Sequence, residues 1–244
     1  MQKYKLAPAP TKDAESALLA YPPLLRQLLF GRGIAEKETA EAFLNPNYDT
    51  HTHSPFAMKD MEKAVARILK AIAENERIAI FSDYDADGIP GAVVLHDFFR
   101  KIGFLNFENY IPDRHSEGFG LNNSAIQQLS NSGTRLLITI DCGISDVEEV
   151  AFANSLGLQV IITDHHIPLN KGGRVGGLYN PPAEDGSAPF TKGDLPPAYA
   201  ILNPKQADCT YPEKMLCGSG VVFKLIQALV SRLSDSSLKV NGQQ

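Results

Sequence analysis

Residues 78–92 read IAIFSDYDADGIPGA. A short apolar run gives way to aspartates at every second position, Asp83, Asp85 and Asp87, closed by Gly88. A strand with one wet face alternates apolar and polar residues, and this run does not, so it reads as a strand buried on both faces. Carboxylates crowded at the end of such a strand repel one another and raise each other's pKa. A cationic group is expected to compensate them.

The pattern repeats downstream. GAVVLHDFFRKIG has helical spacing, FENYIP reads as a strand, and NNSAIQQLSNSG as a helix capped by Asn122 or Asn123. LLITI is a further strand, followed by the helix SDVEEVAFANSLG, for which Ser145 is the expected cap, and then by the strand QVIIT. Apolar strands separated by helices predict an α/β fold, a mainly parallel sheet covered by helices on both faces. Upstream, MKDMEKAVARILKAIAENE puts Met58, Met61, Val65, Ile68, Leu69 and Ile72 on one helical stripe, read as core packing. YPPLLRQLLFGRGIAEKETAEAFLNP predicts two short helices, with prolines opening the first and glycines ending it. The expected organisation is a helical segment over residues 1–50 and the α/β domain over 51–244.

In parallel sheets ligands sit beyond the carboxyl ends of the strands. DYDADG follows IAIFS, DCG follows LLITI, and DHH follows QVIIT. Three strands thus deliver Asp83, Asp85, Asp87, Asp141, Asp164, His165 and His166 to one edge. One such aspartate would be a helix cap; so many together are not. Oxygen-rich sites with one or two imidazoles favour Mn²⁺ or Mg²⁺ over zinc, and several converging carboxylates suit two ions sharing an oxygen ligand.

Other readings of the acidic cluster fit less well. A calcium loop needs a glutamate at its twelfth position, which is Val94 here, and a preceding helix. The aspartyl-phosphate pattern D-x-D-x-T lacks its threonine, and no G-x-x-x-x-G-K occurs. His51 and His53 read as loop residues, His96 as structural, and His115 as a residue that approaches substrate.

Composition sets the bounds. The 244 residues carry a formal charge of −5, against a large basic surface but not against a small basic groove. Cys142, Cys209 and Cys217 form no CxxC pair, so neither a disulfide framework nor a zinc ribbon is expected. No apolar run reaches the roughly 18 residues of a membrane span, and MQKYKLAPAPTKDAES holds no signal-peptide core. The expectation is a cytoplasmic protein.

SDYDADG, IPDRHSEGFGLN, TIDCGIS, TDHHIP and LCGSGVVFKL, in this order, resemble the DHH phosphoesterase superfamily, in its RecJ-like branch of single-strand-specific 5′→3′ DNA exonucleases. The resemblance covers about residues 18–233. It implies two Mn²⁺ or Mg²⁺ ions held by Asp85, Asp87, Asp141 and His165, with Asp141 bridging. Asp83, Asp141 and His166 would form the catalytic group, with Asp164 orienting the imidazoles. Arg114, His115 and Phe119 would meet the DNA strand. Gly218, Ser219 and Gly220 would either cradle a phosphate at a helix start or pack the helix on the sheet.

The implied partner is single-stranded DNA in repair and recombination, with a single-strand-binding protein as a candidate second partner and no membrane. Relatives that cut short oligonucleotides or cyclic dinucleotides, and inert scaffold modules, are the competing readings. A fourth motif with a further aspartate, and the DHH-associated and OB-fold domains, do not appear before Gln244. A fragment with an incomplete site is therefore expected. The long Pro/Gly-rich stretch over 167–205 reads as a surface insertion, with its lysines, Lys171, Lys192 and Lys205, and Arg174 near DNA.

Overall fold

The computed structural model describes residues 8–168 and 195–235. Two compact units divide the chain, Met1–His53 and Ser54–Gln244. In the first lie α1 (Lys12–Ala17), α2 (Pro23–Phe30), α3 (Lys37–Leu44) and α4 (Tyr48–His51). Leu18, Leu29, Ile34 and Ala40 form its small core. The expected pair of helices corresponds to α2 and α3. The other two are additional: Thr11 caps α1 by accepting the Ala14 amide, and Asn47 caps α4. His51 therefore ends a one-turn helix, where its Nδ1 accepts the Asn47 amide, rather than lying in a loop.

The second unit runs α5 (Met61–Ala73), β1 (Arg77–Ser82), α6 (Gly88–Lys101), β2 (Phe107–Tyr110), α7 (Asn123–Asn131), β3 (Thr134–Ile140), α8 (Val147–Ser155), β4 (Gln159–Thr163), β5 (Ala200–Leu202) and α9 (Gly218–Asp235). The sheet order is β2-β1-β3-β4-β5, with every neighbouring pair parallel. Strand residues alternate between the two faces. Ile78, Ile80, Leu136, Ile138, Ile140 and Ile161 pack with α5, α6 and α9, while Ala79, Phe81, Leu137, Val160 and Ile162 pack with α7 and α8. Both faces are buried, which explains why the strands carry no polar alternation.

Three local details depart from expectation. Asn122 caps α7, accepting the Ala125 amide at 2.8 Å, but α8 is entered through Asp146, not Ser145. The Asp146 carboxylate is turned away from its own helix and accepts the Leu121 amide at 2.8 Å. β5 is a three-residue strand inside the Pro/Gly-rich stretch, too short to show periodicity. Of the surface insertion proposed there, residues 169–194, including Arg174, lie outside the described residues. No helix among the described residues is long and apolar enough to cross a membrane.

Candidate metal centre

Parallel crossovers bring every strand back in the same direction, so all five carboxyl ends share one edge. At that edge the aspartates extend the sheet ladder by one step. The Asp83 amide donates to Ile140 O (3.1 Å), the Asp141 amide to Thr163 O (2.8 Å) and the Asp164 amide to Leu202 O (3.0 Å). Asp83, Asp141 and Asp164 thus stand in a row on neighbouring strands, about 4.8 Å apart by strand spacing. All three are buried.

Asp141 occupies the middle. Its φ of 62° is in the left-handed region, where non-glycine residues are uncommon and cluster at functional sites. Burial, and then the charges of Asp87, Asp164 and Asp85, push its pKa up to about 8, the nearby His166 opposing. Its Oδ1 is shielded from solvent and has no hydrogen-bond partner, although His165 Nε2 lies 3.2 Å away. A buried carboxylate oxygen without a donor is costly unless a cation faces it. Two groups of side chains each bring their ligand atoms within 4.8 Å of one another: Asp83, Asp85 and Asp141, and Asp141, His165 and His166. Asp141 belongs to both. The donor set is mainly carboxylate oxygen with imidazole, and it fits Mn²⁺ or Mg²⁺.

The other groups fall into distinct environments. Burial raises the Asp83 pKa. Asp85 is lowered, because its Oδ1 accepts the Gly88 and Asp87 amides at 2.9 and 2.8 Å. Asp87 is absent from both ligand groups. Burial would raise its pKa, but the Ser219 amide and hydroxyl and the Gly218 amide outweigh that and hold it low. Asp87 Oδ2 still lies 3.6 Å from His165 Nε2.

Burial lowers the His165 pKa, whereas the hydrogen bond to Asp164 raises that of His166. Asp164 Oδ1 meets His166 Nδ1 at 2.7 Å and also accepts the His165 and His166 amides, fixing the ring. These bonds outweigh burial and keep Asp164 low.

The start of α9 packs closely on the site. The Gly218 and Ser219 amides are spent on Asp87, at 2.5 and 2.8 Å, and do not form a free phosphate cradle. A Cβ on Gly218 would come within 2.5 Å of Asp141 Oδ1, so the glycine is required for close packing against the site. Gly220 meets Leu216 and Cys217 instead.

Residues 111–122 form a loop beside the cluster. Asp113 Oδ1 accepts the His115 and Ser116 amides, and Glu117 accepts the Tyr110 hydroxyl (2.5 Å), the Asp113 amide (2.8 Å) and the Asn122 side chain (3.2 Å). On this loop Arg114 stacks over the Tyr84 ring, 4.4 Å from its centroid, and Phe119 meets the His166 ring edge-on at 6.4 Å. His115 is exposed and belongs to neither ligand group. His96 is partnered by Asn109 and Phe107, a structural role. Tyr84, Asp113, Glu117 and Asn203, whose side chain donates to His166 O, escaped the sequence reading. Only the D-x-x-S turn pattern of PDRHS hints at any of them.

Comparison with known proteins agrees with this arrangement. The model of the DHH family, N-terminal domain, matches residues 77–242. The chain is similar to the single-stranded-DNA-specific exonuclease RecJ of Bacillus subtilis, 41% identical over 88% of this chain and 24% of the relative. It is also similar to that of Escherichia coli, 34% identical over 88% and 32%. The chain therefore spans about a quarter to a third of the length of these relatives.

Among solved structures, exonuclease RecJ bound to manganese superposes with a TM-score of 0.58 at 27% identity, over 75% of this chain and 40% of the other. RecJ in complex with Mn²⁺ from Thermus thermophilus gives 0.62 at 25% identity, over 91% and 27%. With the family model matching most of its length and the strand-end aspartates and histidines in one cluster, the chain belongs to the DHH family.

Proposed function

We propose that this chain carries the metal centre of a single-strand-specific DNA exonuclease that hydrolyses phosphodiester bonds from the 5′ end, in DNA repair and recombination. The observation that carries the reading is Asp141, one buried carboxylate common to two ligand groups. Asp83, Asp85 and Asp141 would hold one divalent cation, and Asp141, His165 and His166 the second. Asp87, through the Oδ2 that faces His165, would be a further ligand. When bound, two such ions supply Lewis-acid polarisation of the phosphate and a nucleophile at neutral pH.

The chain's own groups orient the substrate. Asp164 fixes the His166 ring through Nδ1, leaving Nε2 to face the second cation. Arg114, braced on Tyr84, presents a planar guanidinium suited to bidentate phosphate binding. Phe119 is 61% exposed, enough for a base to stack on it, and His115 lines the same loop. The similarity to RecJ supports single-stranded DNA as the polymer, and a single-strand-binding protein is a fitting partner for such an activity.

Two measurements test this. Asp141→Ala should abolish Mn²⁺-dependent release of nucleotides from a 5′-labelled single strand while the circular dichroism spectrum stays unchanged. Activity retained in that variant overturns the assignment. A length series decides the substrate, since cleavage confined to oligomers of a few nucleotides would make this a short-oligonucleotide phosphodiesterase.

A further inference from the structure

The sheet order places the acidic and histidine cluster on its three inner strands, β1, β3 and β4. A cation follows each outer strand. Arg114 lies on the loop after β2, and Lys205 on the turn after β5. Four strand spacings separate those edges, about 19 Å. A chain with a net charge of −5 that handles a polyanion needs cations where the phosphates run.

The turn bearing Lys205 is built rigidly and joined to the site. Asn203, fully buried, donates from Nδ2 to His166 O at 2.9 Å and accepts the Lys205 amide on Oδ1 at 2.8 Å. Gln206, also buried, donates to Ile201 O, and Lys214 Nζ donates to Pro204 O and Cys209 O. The Lys205 backbone is therefore fixed one hydrogen-bonded residue away from the histidine pair. The side-chain ammonium forms no ion pair among the described residues, though carboxylates crowd the edge.

We propose that Lys205 binds a backbone phosphate of the single strand on the side of the metal centre opposite Arg114, so that the two cations bracket the phosphate being cut. This rests on the proposed function and adds a residue to it. Lys205 contacts a neighbouring phosphate, not the reacting one, so its contribution is to holding the strand rather than to the chemical step. A flexible ammonium suits a contact that must let the strand advance after each cleavage.

The test uses the intact protein with a 5′-phosphorylated oligothymidylate. Steady-state cleavage is measured with Mn²⁺, and binding by fluorescence anisotropy from about 50 mM to about 200 mM salt. Lys205→Ala should raise KM about tenfold, as for the loss of a charge-assisted bond, with kcat nearly unchanged. The slope of log affinity against log salt should become shallower by about 0.7, the value for one phosphate contact on a single strand. Lys205→Arg should restore both.

Lys70→Ala, which removes an exposed charge on α5 paired with Glu74, is the matched control and should do neither. Equal effects of the two alanine variants, or an unchanged KM and slope in Lys205→Ala, overturn the inference while leaving the exonuclease reading in place. A wild-type protein that neither binds nor cuts the strand overturns the exonuclease reading itself.

Discussion

Asp146 shows how a single carboxyl responds to its surroundings. It is half-buried, it accepts the Leu121 amide, and burial, with the charges of Glu149 and Asp164, pushes its pKa up to about 7. In the unfolded chain the group titrates near about 3.9. The folded state therefore holds a proton that the unfolded state has released. The stabilisation from that proton is complete below about pH 4 and is lost as pH rises through about 7. The substitution Asp146→Asn keeps an acceptor for the Leu121 amide and removes the charge. Urea denaturation should accordingly show this variant gaining on the wild type between about pH 4 and about pH 7. A gap independent of pH refutes the protonated form. Asp141 is raised further, but there the shift is tied to the role proposed for it, since a cation facing Oδ1 would reverse the direction.

Among the elements, α9 has the closest bearing on the site. Its first amides, at the positive end of an 18-residue helix, hold the Asp87 carboxylate. Gly218→Ala would push a methyl group into Asp141 Oδ1, whereas Gly220→Ala would meet Leu216 Cδ2 at 3.3 Å, a contact that side chain relieves by a small shift. The first substitution should cost tenfold or more in Mn²⁺-dependent activity, an order of magnitude typical of displaced ligand geometry. The second should leave activity near the wild-type level, and cleavage assays on the pair separate the two. Equal activities would show that the approach of α9 does not matter.

How far these elements could be read from the chain varies with their length. The strands IAIFS, LLITI and QVIIT were legible because each is an unbroken apolar run between helices. β5 was not, because three residues among prolines carry no period. The Ser145 cap failed for a different reason. A longer-range acceptor role drew Asp146 to Leu121, and the chain entered α8 one residue later.

For the molecule as a whole, stability is concentrated in the sheet of the second unit. Ile138, at the centre of β3 and fully buried, packs among Ile80, Leu136 and Ile140. Ile138→Ala should cost about 3 kcal/mol, a typical cavity penalty, and lower Tm by roughly 6–12 °C for a unit of this size. Calorimetry measures it, and a shift of only a degree or two would place the core elsewhere. The first unit rests on a cluster of Leu18, Leu29, Ile34 and Ala40, far smaller than the two cores around the sheet.

The amino-acid sequence by itself determined that apolar strands alternate with helices and that each inner strand ends in carboxylate or imidazole. Because crossovers between parallel strands return each strand in one direction, those two facts already place the chemistry on one edge. Tertiary structure alone decided which groups meet. Asp83 joins Asp85 and Asp141 while Asp87 is held by a helix that begins 131 residues later, and Lys205 arrives on the turn after a strand too short to announce itself. Strand order and helix docking set those distances, and neither is written in local periodicity.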